Sequence, residues 1–392
     1  MLDHRLEPEH EELRRTVREF ARDVVAPKIG EYYEHNEFPY EIVREMGRMG
    51  LFGLPFPEEY GGMGGDYFTL GLVLEELARV DSSVAITLEA AVSLGAMPIH
   101  LFGTEEQKRT WLPKLCSGEM LGAFGLTEPE GGSDAGATRT TARYDQETDE
   151  WVINGTKCFI TNSGTDITGL VTVTALTPSG EEAGRTSPTR SISSIIVPTG
   201  TPGFTVSKKY SKVGWNASDT RELSFVDCRV PAANLLGQPG RGYAQFLRIL
   251  DEGRIAIAAL ATGLAQGCVD ESLRYSAERH AFGRPIGANQ AIQFKVADME
   301  TRAHLARLAW YHAASRMVAG EPFKKEAAIA KLYSSEAAVD NAREATQIHG
   351  GYGFMNEFPV ARFWRDCKIL EIGEGTSEVQ RMLISRELGM PS

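Results

Sequence analysis

Several features are scarce in this sequence, and each shortage excludes a class of protein. Cysteine occurs five times, at Cys116, Cys158, Cys228, Cys268 and Cys367, with no Cys-x-x-Cys pair. An odd, scattered set of thiols argues against a disulfide scaffold or structural metal and for a reducing, cytoplasmic compartment. Basic charge is also short: 41 Lys and Arg stand against 53 Asp and Glu, a net charge of −12. That balance argues against nucleic acid or an anionic membrane as main partner, while leaving room for a local basic pocket. The N-terminal run MLDHRLEPEHEELRR is charged from its third residue and reads as neither signal nor transit peptide. The longest largely apolar run, Ile255 to Ala265, is too short to span a bilayer and predicts a buried helix, with no membrane insertion.

Familiar catalytic signatures are missing too. Gly-x-Gly begins at Gly62, Gly240, Gly351 and Gly373, but the third glycine of a dinucleotide fingerprint is replaced by Tyr67, Gln245, Asn356 and Glu378. No βαβ alternation surrounds these runs, which counts against a Rossmann domain. Walker A, His-Glu-x-x-His and Gly-x-Ser-x-Gly patterns are absent, and no internal repeat is visible. His280 and His349 stand alone without a second ligand at metal spacing, which favours structural or hydrogen-bonding roles.

What is present is ordered as helical, then β, then helical. Leu13, Val17, Phe20 and Val24 recur at helical spacing after Pro8, and Pro27 is expected to close that element. A second helix is expected over Leu70 to Arg79. Glu150 to Ile160 carries Asn154-Gly155 between β-branched and aromatic flanks and predicts a hairpin. Leu170 to Thr174, Ile192 to Val197 and Leu223 to Val226 predict further strands, with the polar Ser179 to Arg190 loop as mobile surface. Ile292, Val296, Met299, Ala303, Ala306, Trp310, Ala313 and Met317 then form a bundle-type stripe, repeated by Ala328, Leu332, Ser335, Val339 and Ala342. The expected division is 1–121, 122–236 and 237–392.

Near the C-terminus, Gly373-Glu374-Gly375 places a carboxylate between two glycines. Without Cβ atoms on either side, a ligand can approach closely, and desolvation there raises a carboxyl toward the range of a base working at neutral pH. The same residues also suit a Gly-rich turn with a solvated glutamate. Both readings stand on these residues alone.

A larger set of motifs carries a resemblance. Phe124-Gly125-Leu126-Thr127-Glu128-Pro129-Glu130-Gly131-Gly132-Ser133-Asp134, Lys157-Cys158-Phe159-Ile160-Thr161-Asn162, Arg279-His280-Ala281-Phe282-Gly283, Gln347-Ile348-His349-Gly350-Gly351 and Glu374-Gly375-Thr376 resemble, in order and spacing, the motifs of acyl-CoA dehydrogenases. The similarity runs from about residue 8 to 390. It implies an α+β fold with an N-terminal helical domain, a middle β-barrel or sandwich domain and a C-terminal four-helix bundle, assembled as a tetramer built from two dimers. It also implies FAD, an acyl-CoA substrate and an electron-transfer flavoprotein as acceptor.

Carried over by position, Leu126, Thr127, Phe159 and Thr161 would line the flavin, and Ser133 would lie where the flavin pyrophosphate and the CoA arm come close. Arg279, Phe282, Gln290, Gln347, Gly350 and Gly351 would hold the adenosine pyrophosphate of a neighbouring subunit's FAD, with Thr376 and Glu378 among the cofactor contacts. Asp251, Arg254, Glu374 and Gly375 would meet the acyl-CoA; for Asp251 and Glu252, favourable charge at a helix start is the plainer alternative. Some relatives carry a glutamate base where this chain has Gly253, so the resemblance assigns the α-proton to Glu374 and the β-hydride to flavin N5. Phe159, Trp215-Asn216 and Cys367 depart from commoner family forms. Val84 to Val92, near the expected floor of the acyl pocket, has no arginine for a distal carboxylate, and Ala90 and Ala91 would leave space there. An oxidase or flavin monooxygenase of the same fold, or a silent scaffold, stand as alternatives; the last two have no need of a base at position 374.

Overall fold

The structure, a computed structural model, describes residues 6–177 and 191–391. The Ser179 to Arg190 loop lies outside the described residues. Helices come first: α1 (Pro8–Phe20), α2 (Ala26–His35), α3 (Tyr40–Arg48), α4 (Tyr67–Ala78), α5 (Ser82–Glu89), α6 (Met97–Phe102) and α7 (Glu105–Cys116). Strands follow: β1 (Leu121–Gly125), β2 (Thr141–Asp145), β3 (Glu150–Thr161), β4 (Thr168–Leu176), β5 (Ile192–Pro198), β6 (Phe204–Val206), β7 (Thr220–Pro231) and β8 (Leu235–Leu236). The last part holds α8 (Gly242–Glu278), the hairpin β9 (His280–Ala281) and β10 (Arg284–Pro285), α9 (Gln290–Val318), α10 (Lys324–His349), α11 (Pro359–Asp366) and α12 (Ser377–Glu387). Polar side chains set several helix starts. Asp66 accepts from the Thr69 N–H at 2.8 Å, Asp81 accepts from Ser83 and Val84, and Thr104 and Gln107 cap α7 reciprocally.

Three local expectations need correction. Asp251 and Glu252 do not open a helix, because α8 begins at Gly242 and carries them well inside it. Pro27 does not end the first helix. The turn Ala21–Val25 widens so that the Ala26 N–H reaches the Ala21 carbonyl, and the chain runs on as α2 until Asn36 turns left-handed at φ 55°. Asn154-Gly155 is not a hairpin turn either. It lies inside the single strand β3, where the pairing with β7 shifts register between Ile153 and Gly155. Gly155 has φ 151°, and a Cβ there would stand 2.4 Å from Thr140 Oγ1, so the glycine serves a bulge pressed against the preceding segment. The β2–β3 turn instead spans residues 146–149, between Asp145 and Glu150.

The strands form one eight-stranded sheet in the order β6-β7-β3-β2-β4-β5-β8, with β1 parallel beside β4. Its apolar side chains, among them Ile153, Val171, Ile195 and Phe225, make a core of their own. The helices before and after the sheet share the other core, which includes Val73, Leu260 and Trp310. Met299, Ala303, Ala306, Trp310 and Ala313 are buried along α9, and Ile255 to Ala265 is buried within α8. Ser82–Phe102 is long and apolar enough to cross a membrane by length and composition, but 83% of that window is buried inside the protein.

Helix α4 packs against α8, and its two adjacent acids are buried with partners. Glu75 accepts from Arg307 Nε at 2.7 Å and Trp310 Nε1 at 2.9 Å, while Glu76 accepts from Arg14 and Arg18. A second buried acid ties the sheet to the helices on both sides of it. Asp366 on α11 accepts from Tyr33 Oη at 2.5 Å, Ser82 Oγ at 2.7 Å and the Trp215 N–H at 2.7 Å. Trp215 Nε1 closes the ring onto Ser82 Oγ at 3.0 Å, giving that unusual residue a joining role. Replacing Asp366 with Ala leaves three buried donors without an acceptor. It is expected to cost about 3 kcal/mol or more, read as a lowered urea midpoint, against about 1 kcal/mol for Tyr33→Phe.

Candidate active site

Glu374 sits in the turn between α11 and α12 with φ 52°, followed by Gly375 at φ 96°. Its Oε2 is enclosed and accepts no hydrogen bond. The neighbour that makes room is Gly253 on α8: a Cβ there would stand 2.4 Å from Glu374 Oε2. On the other side lies Glu89, the last residue of α5, which is 0% exposed and has no partner on either carboxylate oxygen. The two carboxyl groups are within hydrogen-bonding reach of each other. If both were ionised, three enclosed oxygens would lack a donor, so one group must carry a proton. Burial, then the charge of Glu374, pushes the Glu89 carboxyl well above the usual range, so Glu89 is the group that keeps it. Burial also raises Glu374, but the hydrogen bond from Glu89 and the charges of Lys331 and Arg254 pull it back.

Both cations are enclosed. Arg254 is 3% exposed and bonded to Asp251, and Lys331 on α10 donates to the Gly375 carbonyl at 2.6 Å. Thr376 caps α12 by accepting from the Val379 N–H, and Glu378 is exposed in that helix's first turn. Asp251, Arg254, Glu374 and Gly375 are thus brought into one neighbourhood. Sequence reasoning missed Glu89 and Lys331. Their signal was a lone charge in an apolar helical run, Ile86-Thr87-Leu88-Glu89-Ala90-Ala91 and Ala327-Ala328-Ile329-Ala330-Lys331.

The middle sheet offers a second wall. Register slips between Lys157 and Ile160, and at that bulge Phe159 has φ 61° and is 66% exposed, so its ring faces outward. The Cys158 N–H binds the Thr127 carbonyl at 2.8 Å, joining the strand to the Leu126-Thr127 segment. Beneath them the fully buried Lys157 donates to the Leu126 carbonyl at 3.0 Å and to Glu128 at 2.7 Å, and Glu128 accepts from the Arg139 and Thr140 N–H groups. Thr161 ends this wall half-buried, and the next residue, Asn162, donates to the Thr87 carbonyl at 2.9 Å. That bond fixes the wall to the helix that carries Glu89. Ser133 lies exposed on the loop beyond Glu128.

Arg279, Gly350 and Gly351 meet elsewhere, in a cavity of ≈ 490 Å³ also lined by Tyr275, His349 and Tyr352. A Cβ on either glycine would meet nothing within 4 Å. His349 stacks on Tyr275 and binds the Ala345 carbonyl through Nδ1, which leaves Nε2 buried, unprotonated and unpartnered. Gln290 and Gln347 are exposed near this end, and Phe282 is 100% exposed on the β9–β10 hairpin. Arg279 caps the same helix that carries Gly253, and twenty-six residues of helical rise separate them by about 39 Å. An extended flavin nucleotide needs an aromatic cover, polar groups for the ring edge and open backbone for its phosphates. The Phe159 wall and the Arg279 cavity supply these features and fit it, at two separate places on one chain.

The N-terminal, middle and C-terminal domains of acyl-CoA dehydrogenase match residues 7–119, 123–228 and 240–389 respectively. The chain is 49% identical over 99% of its length to the whole of the probable acyl-CoA dehydrogenase YngJ of Bacillus subtilis. Among solved structures it is similar to butyryl-CoA dehydrogenase from Megasphaera elsdenii, with a TM-score of 0.93, 41% identity, and coverage of 99% of this chain and 100% of that one. A chain solved in work on the electron transferring flavoprotein of Acidaminococcus fermentans gives a TM-score of 0.94 at 41% identity, covering 99% of both. With this fold and with similarity along its whole length, the chain belongs to the acyl-CoA dehydrogenase family of oxidoreductases.

Proposed function

We propose that this protein removes the α- and β-hydrogens of an acyl-CoA thioester to give a trans-2-enoyl-CoA, with Glu374 as the base. The observation that carries this reading is the Glu374 carboxyl, its Oε2 enclosed, raised by burial and pulled back by Glu89, Lys331 and Arg254. A dry carboxylate of that kind suits abstraction of a weakly acidic α-proton. The Glu374 N–H, aimed by the left-handed turn, is the chain's own donor for charge developing on the thioester oxygen. FAD, when bound, supplies the acceptor for the β-hydrogen. Leu126, Thr127, Phe159 and Thr161 would hold its ring, with Ser133, Thr376 and Glu378 toward the CoA and phosphate end. The likeness to butyryl-CoA dehydrogenase supports a short acyl chain, and that to the chain solved with the Acidaminococcus work supports an electron-transfer flavoprotein as acceptor. Five buried, unpaired thiols suit the cytoplasm.

The adenosine end is assigned to a second copy. Arg279, Phe282, Gln290, Gln347, Gly350 and Gly351 lie too far along α8 to reach a flavin at their own Glu374, by the helical rise given above. Exposed Phe282, Phe294 and Phe354 on the same part of the surface support burial between copies. The purified protein is expected to be yellow, with about one noncovalent FAD per subunit, and to be a tetramer by light scattering. Arg279→Ala is expected to loosen FAD. A monomer with full FAD occupancy refutes the shared site.

Glu374→Gln is expected to lose more than the roughly 10²- to 10⁴-fold typical of general-base removal in anaerobic flavin bleaching, with FAD content unchanged. A second carboxylate at position 253 needs the space that Glu374 fills, so Gly253→Glu is expected to restore turnover best when paired with Glu374→Ala. Bleaching by Glu374→Gln within a few-fold of wild type ends the assignment.

The pH profile carries a further test. Because the Glu374 carboxyl is raised, single-turnover bleaching is expected to fall as pH drops through a midpoint above the ordinary carboxylate range. Glu89→Leu removes the donor that favours the Glu374 carboxylate, moving the midpoint to higher pH. Glu89→Gln keeps an N–H donor and is expected to stay near wild type.

A further inference from the structure

The reading of Glu374 as base uses the charge of one buried group near it but not the hydrogen bond that group makes. Lys331 is 0% exposed and sits on an alanine-rich face of α10. An ammonium has three donors, and the protein hydrogen bond it makes is the one to the Gly375 carbonyl, at 2.6 Å. Enclosing such a charge is costly unless it is paired and hydrogen-bonded. The same carbonyl takes Gln380 Nε2 at 2.9 Å, so two side chains from different helices converge on one backbone oxygen. That oxygen belongs to the second of two successive left-handed residues, the first of which, Glu374, has a Cβ and is strained at φ 52°. Strain of this kind persists only where the surroundings over-determine it.

We propose that Lys331 is a positioning residue that locks the Glu374–Gly375 turn through the Gly375 carbonyl and sets the proton affinity of Glu374 through its charge. This rests on the reading of Glu374 as the base. The charged groups around the pair are Arg254 on α8 with its partner Asp251, Glu89 on α5, Glu371 before the turn and Glu378 on α12. Burial lowers Lys331 to about 8, and Glu374 is the largest influence holding it up. The ammonium and the carboxylate therefore sustain each other. When Glu374 takes a proton, that mutual support is withdrawn.

Lys331→Met keeps the apolar stem and removes both donor and charge; Lys331→Gln removes the charge but keeps an amide donor. Two readouts on the FAD-loaded protein decide the matter. Hydrogen exchange of the Gly373 to Thr376 amides is expected to quicken in Lys331→Met, and less in Lys331→Gln. In anaerobic bleaching with butyryl-CoA, Lys331→Met is expected to lose about 10- to 100-fold of the high-pH plateau, as a misplaced base does. Both variants are expected to move the pH midpoint up by about one unit, because a nearby cation no longer favours the carboxylate. Wild-type exchange together with a wild-type midpoint, in whichever variant folds, overturns the proposal. If the wild-type protein itself fails to bleach with any acyl-CoA, the dehydrogenase reading fails, and the exchange result alone still decides whether Lys331 holds the turn.

Discussion

A methyl group at position 253 would stand 2.4 Å from Glu374 Oε2, so the Glu374 carboxylate can keep this orientation against α8 because α8 carries glycine there. Much of the site follows from that contact. With no side chain between them, Glu374 Oε2 lies against the helix backbone and away from water. Its neighbours become Glu89, Lys331 and Arg254 in place of solvent. A carboxylate in such surroundings needs donors and countercharge, and the chain supplies both from three different helices. A side chain at position 253 would compete with Glu374 for the same volume.

Buried charge elsewhere follows the same logic. Lys157 and Glu128 are paired beneath the Thr127 segment, Arg362 lies beside Asp81, and Asp366 gathers donors from α2, α5 and the Trp215 loop. None is a cheap way to gain stability, since apolar side chains of similar volume do as well. Each instead fixes where one segment stands relative to another. Lys157 sets the wall that carries Phe159, Asp366 sets the sheet against the helices, and Asn162 sets that wall against Glu89. The site needs these relations because its parts come from segments far apart in the chain.

Sequence periodicity located α1, α4, α9 and α10 and strands β4, β5 and β7, and burial along α9, β4 and β5 follows the apolar pattern. It failed at Pro27 and Asn154-Gly155, where a widened turn and a bulge absorbed residues that usually end an element. Both devices depend on hydrogen bonds whose partners local pattern does not specify. Glu374 could be singled out because a carboxylate between two glycines is conspicuous in sequence, and Gly253 through the family resemblance. Glu89 and Lys331 could not be joined to them, because their significance lies in meeting across 285 and 43 residues of chain. A lone charge in an apolar run signals burial, and only the fold says against what.

Helix α8 relates the catalytic end to the nucleotide end. Gly253 lies near its start and Arg279 caps its finish, so the helix holds apart two features that one flavin would otherwise be expected to join. A rigid helix buried along most of its length cannot fold back to bring them together. If both ends serve flavin, each must serve a different molecule, and the exposed hairpin carrying Phe282 is free to meet another copy. The separation therefore turns an apparent misplacement of the Arg279 cavity into a reason for association. On the proposed reading, a single chain presents the base and the ring wall, and a second chain completes the nucleotide's far end.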